Sequence, residues 1–102
     1  MIEINDKAKF DQAIRNNKLV VVDFHATWAG PCKRIAPAVQ HLSEDRKDVY
    51  FFKVDVDQAE AIAQAHNITD MPTFLFFKDG QKVDELVGAN EGVLKDKVTK
   101  LR

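Results

Sequence analysis

A chain of 102 residues is the size of one ordinary domain, enough to bury a single core and not two, so one domain over residues 1–102 with no linker is expected. With 45% apolar and 30% charged residues the composition is that of a globular protein, and a formal charge of −1 offers no concentrated basic surface for nucleic acid or an anionic membrane. The single cysteine excludes an internal disulfide, no run approaches the roughly 18 apolar residues of a membrane span, and Met1-Ile2-Glu3-Ile4 lacks the pattern of a signal peptide, so a cytoplasmic monomer is the expectation.

Ile2 and Ile4 alternate around Glu3 as a brief strand, and Asp6 stands where a helix N-cap belongs. Phe10, Ala13 and Ile14 give the following helix its apolar stripe, with an end near Asn16-Asn17. Leu19-Val20-Val21-Val22-Asp23-Phe24 is a β-branched, almost unbroken apolar run, the pattern of a central strand covered on both faces. From about Ala29 to Arg46, Ile35, Val39 and Leu42 recur at helical spacing, with Pro37 expected to kink the helix without ending it. Val49-Tyr50-Phe51-Phe52-Lys53-Val54 repeats the buried-strand pattern, and Asp57 followed by Glu60 has capping-box spacing ahead of a short alanine-rich helix to about His66.

Asp79-Gly80, between Phe74-Leu75-Phe76-Phe77 and Val83-Asp84-Glu85-Leu86-Val87, is the strongest hairpin signal in the chain. Lys82, Asp84 and Glu85 suit a solvated edge strand, and Leu94, Val98 and Leu101 mark a closing amphipathic helix. The order β-α-β-α-β-α-β-β-α implies an α/β fold, a single mixed sheet with parallel crossovers, an antiparallel edge and helices on both faces.

Chemistry concentrates at Trp28-Ala29-Gly30-Pro31-Cys32-Lys33, a strand-to-helix junction where the first helical turn offers free N–H groups and partial positive charge. Asp23 is anomalous amid Val21, Val22 and Phe24, because a buried carboxylate must raise its pKa or find a partner; it is a functional group or a strand-end aspartate capping a local N–H. His25 and Cys32 are too few for a zinc site and no third ligand is suggested, so His25 is taken as a packing residue and no metal is expected. Asp55 and Asp57 are accounted for by strand-end and helix-cap roles, His41 and His66 by helix surfaces, and Lys95, Lys97 and Lys100 by a solvated face balanced by Glu91 and Asp96.

Over essentially its whole length the chain resembles a thioredoxin. The resemblance rests on Asp23 through Lys33, Pro37, Lys53 before Val54-Asp55-Val56-Asp57, the Met71-Pro72-Thr73 triplet and the Lys78-Asp79-Gly80 turn. It implies the thioredoxin fold and protein disulfide reduction, with NADPH-linked thioredoxin reductase and disulfide-containing clients as partners and no bound cofactor. The family pattern at the junction is Trp-Cys-Gly-Pro-Cys, whose first cysteine attacks a substrate disulfide and whose second resolves the mixed disulfide. Here Ala29 stands at the attacking position and Cys32 at the resolving one, so the cycle cannot run as written. Ala29 is an engineered replacement or a natural loss; its intact surroundings are what a single substitution leaves.

The resemblance also implies that Asp23 is a buried proton acceptor for Cys32, with Lys53 as its charge partner. Pro72 would be a cis-proline facing the site, where an ordinary X–Pro bond is trans. Trp28, Gly30, Pro31, Met71, Pro72, Gly88 and Ala89 would form a shallow substrate-binding patch; core packing is the other reading of Trp28, against which its place at a strand exit speaks, and Gly88 can also simply end a strand. The alternative function is a redox-inactive binding module that holds a partner protein or peptide in the same groove.

Overall fold

The computed structural model describes the whole chain, Met1 to Arg102. Its elements are β1 (Ile2–Glu3), α1 (Lys7–Ala13), β2 (Leu19–His25), α2 (Gly30–Asp45), β3 (Val49–Asp55), α3 (Glu60–Ala65), β4 (Thr73–Lys78), β5 (Gln81–Val87) and α4 (Glu91–Leu101). Five strands form one sheet in the order β1-β3-β2-β4-β5. β3 pairs parallel with β1 and β2, while β4 runs antiparallel to both β2 and β5. The expected mixed sheet with an antiparallel edge is therefore present.

The period-two pleat sorts each central strand into two cores. Val20, Val22, Phe24, Phe52, Val54, Leu75 and Phe77 face α1 and α3, meeting Phe10 and Ile62. Val21, Phe51, Phe74 and Phe76 face α2 and α4, meeting Ile35, Val39, Leu42, Leu94 and Val98. Because helices cover both faces, β2 has only its last residue outside the buried class, which is why its sequence is an apolar run and not an alternation.

Local signals account for most boundaries. Asp6 accepts the Lys9 N–H at 3.0 Å and Asn90 accepts the Val93 N–H at 3.0 Å, each satisfying a first-turn donor. Asp79 (φ 53°) and Gly80 (φ 82°) both occupy the left-handed region, as a two-residue primed hairpin turn requires. α2 runs unbroken through Pro37.

Four expectations are corrected. α1 ends at Ala13, short of Asn16-Asn17, because Asn16 uses its side chain to accept the Lys18 N–H and turns the chain early. No capping box opens α3: its N-cap is Ala59, without a side-chain hydrogen bond, and Asp57 is drawn away to Trp28. His66 is not isolated on a surface; its ring packs 5.0 Å from Phe10 and near Phe24 and Phe77, and burial there pushes its pKa down. Lys97 does not simply face solvent but reaches from α4 to Asp84 on β5 at 2.8 Å.

Candidate active site at the start of the second helix

β2 delivers the chain to the junction and α2 begins at Gly30, with Ala29 as its N-cap. Alanine offers no side-chain oxygen, so the first-turn N–H groups receive no side-chain cap, and Pro31 removes one donor that would otherwise be unpaired. Ala29 is 7% exposed and Cys32 8%; with Ala26 they make a small apolar cluster against which Met71 and Val56 pack. The Cys32 thiol is free, and burial pushes its pKa up, helped by the nearby Asp23 charge and opposed by a hydrogen bond with the Ala26 backbone.

Met71-Pro72 is a cis peptide bond and Pro72 is buried. The Gly88 N–H donates to the Pro72 carbonyl at 2.8 Å, so Gly88 (φ 101°) fastens the β5 end to this loop besides ending the strand. Trp28 is 66% exposed, which rules out a core role; its indole N–H donates to Asp57 Oδ2 at 2.9 Å and holds the ring at the surface. Gly30 is exposed and Pro31 half-buried beside it. Ala89 is half-buried and packs against the core under α2 and α4. Sequence reasoning missed Asp57; the signal against a cap role was its position three residues ahead of the helix start, which no local rule links to Trp28.

Behind α2, a cleft of about 520 Å³ is lined by Asp23, Cys32, Lys53 and His25 among others. Asp23 is 7% exposed with Oδ1 lacking any hydrogen-bond partner, so it caps no N–H through that oxygen. Burial raises its pKa to about 6, against the lowering pull of His25 and Lys53. Lys53 stands beside Asp23 in the β2–β3 register, yet the two form no direct ion pair. A protonatable, solvent-poor carboxyl facing the same cleft as the thiol can exchange protons with it or with water between them.

The three groups of residues, buried thiol, protonatable carboxyl and cis-proline loop, thus converge on one helix N-terminus, and a match to the thioredoxin family extends over residues 1–100. The chain belongs to the thioredoxin family. Thioredoxin 1 of Plasmodium falciparum is 46% identical over 97 residues, spanning 95% of this chain and 93% of that protein. Thioredoxin of Ictalurus punctatus is 49% identical over 102 residues, spanning 96% and 95%. Among solved structures, Fasciola hepatica thioredoxin superposes with a TM-score of 0.97 at 43% identity, with both chains fully covered, and Plasmodium falciparum thioredoxin with 0.96 at 44% identity, also fully covered. The sheet and helices are those of the thioredoxin fold. This thioredoxin-family chain carries a methyl group at position 29 and one cysteine in all.

His25 Nε2 lies 3.1 Å from Glu3 Oε1, and Asp55 sits in register with His25 on β3. No helix is long and apolar enough to cross a membrane.

Proposed function

We propose that this chain is a thioredoxin-family domain built for protein dithiol–disulfide exchange whose attacking sulfur is missing, so that it keeps the docking surface and the resolving thiol but does not turn over. Thioredoxin homologues generally act with thioredoxin reductase and disulfide clients, and the same partners are inferred for the dithiol form of this chain. The observation that carries the reading is Ala29 at the N-cap of α2, packed against Cys32. In exchange, a thiolate at position 29 attacks a client sulfur, forming a mixed disulfide and releasing the client's other sulfur as a thiolate; Cys32 then attacks the position-29 sulfur, expels the client and closes the internal disulfide. A methyl group can do neither the attack nor the closing. Asp23, with its raised pKa, is assigned the proton of Cys32 in the second step, and Lys53 the role of limiting how far burial raises that carboxyl. Trp28, Gly30, Pro31, Met71, Pro72, Gly88 and Ala89 are assigned to client docking.

A second reading, a redox-inactive module that binds a partner through the same groove, is favoured by Trp28, a large apolar side chain held 66% exposed by its bond to Asp57. One experiment separates the two. Ala29→Cys is expected to give NADPH-dependent reduction of a protein disulfide in the presence of thioredoxin reductase, while the chain with Ala29 gives the rate of a blank. A folded, fully reduced dithiol variant that remains at the blank rate overturns the exchange reading in favour of the binding module.

A further inference from the structure

β1, β3 and β2 are three adjacent parallel strands, and their carboxyl ends present Glu3, Asp55 and His25. Glu3 and Asp23 flank Lys53 in register, and His25 is in register with Asp55, so these side chains share the face of the sheet covered by α2. The carboxyl ends of parallel strands are the usual ligand-binding edge of an α/β sheet. One ligand atom from each of Glu3, His25 and Asp55 lies within 4.8 Å of the other two, and the Glu3–His25 pair is already at 3.1 Å. Donors at about 2.1 Å from a tetrahedral zinc ion stand about 3.4 Å apart, so the remaining gap closes with a side-chain adjustment of about an ångström.

We propose that Glu3, His25 and Asp55 form a binding site for one divalent cation of the zinc type, separate from the thiol chemistry. One imidazole nitrogen and two carboxylates suit zinc, and their two negative charges balance the ion. Supporting groups are in place. Asn5 donates from Nδ2 to Glu3 Oε2 at 3.0 Å and accepts the Asp55 N–H at 3.0 Å, so one side chain holds the Glu3 carboxylate and the Asp55 backbone. The Asp57 N–H donates to Asp55 Oδ1 at 2.9 Å, leaving Oδ2 for the ion. Access runs along the Glu3 side chain, which is 34% exposed, whereas His25 is 14% exposed. Lys53 in the adjoining row competes for Glu3, so binding weaker than in a closed structural zinc site is expected.

The test is calorimetric titration of the folded full chain with zinc chloride in chelator-treated, thiol-free buffer, repeated with cobalt(II) for its visible spectrum. The expected result is one ion per chain, d–d bands without a thiolate-to-cobalt charge-transfer band, affinity lowered at least about tenfold in Glu3→Gln, His25→Phe and Asp55→Asn, and affinity retained in Cys32→Ser. Glu3→Gln alters a partly exposed residue at the sheet edge and keeps the test informative if a more buried variant fails to fold. Absence of saturable binding, binding unchanged in Glu3→Gln, or binding lost in Cys32→Ser overturns the proposal.

Discussion

Asp23 lies inside the sheet with its Oδ1 unpaired, and the consequence is a stability that depends on pH in an unusual direction for a carboxylate. Its folded pKa of about 6 stands above the ordinary 3.8. Between those values the folded state binds more protons than the unfolded one, so stability falls as pH rises from about 4 to about 6, and the loss is complete above that. The corresponding free energy is about 3 kcal/mol at most. Asp23→Asn removes the charge in both states and is therefore expected to be stabilising by roughly 2–3 kcal/mol at pH 7.5 and by little at pH 4. Urea unfolding at the two pH values, with chelator present, measures it; an equal effect at both would refute the assignment. Asp23 was visible in the sequence because a carboxylate interrupts an apolar strand. Its unpaired oxygen was not, since that depends on what α2 places above it.

At the scale of elements, the β4–β5 hairpin isolates backbone conformation from packing. Gly80 has φ 82°, and a Cβ built there meets only Arg15 Cγ at 3.5 Å, an ordinary contact. The cost of Gly80→Ala is thus the left-handed backbone itself, about 1 kcal/mol, with the slope of denaturation unchanged and the midpoint lowered. An unchanged midpoint would mean that the turn relaxes to another type. The hairpin, the Asp6 and Asn90 caps and the buried strands were all legible in sequence, because each is decided by residues within a few positions of one another. The Asp57-Glu60 spacing misled for the complementary reason. A distant indole donor, Trp28, captured the carboxylate that local rules gave to the helix.

For the molecule as a whole, strand order predicts where opening costs most. β2 and β3 are each paired on both sides, whereas β5 is an edge strand carrying exposed Val83 and Val87. Amide exchange is expected to be slowest at Val21, Val22 and Phe52, approaching the free energy of global unfolding, and faster by orders of magnitude along β5. Edge amides exchanging as slowly as those of β2 would show that the sheet opens as one unit and that the order β1-β3-β2-β4-β5 does not grade its stability.

The sequence by itself determined the number, type and approximate limits of the elements, the membership of the thioredoxin family through separated motifs, and a single cysteine with an alanine three residues before it. Tertiary structure alone decided that Trp28 points outward to Asp57, that Ala89 packs half-buried against the core, that His66 joins the phenylalanines, and that Glu3, His25 and Asp55 meet. The physical division is one of range. Hydrophobic period, caps and turns are set by neighbours along the chain, while side-chain meetings across β1, β3 and β2 follow from a strand order that differs from chain order. The helix N-terminus at Ala29 belongs to both classes: its position is local, whereas the shared cleft of Asp23 and Cys32 exists only because α2 packs over the sheet.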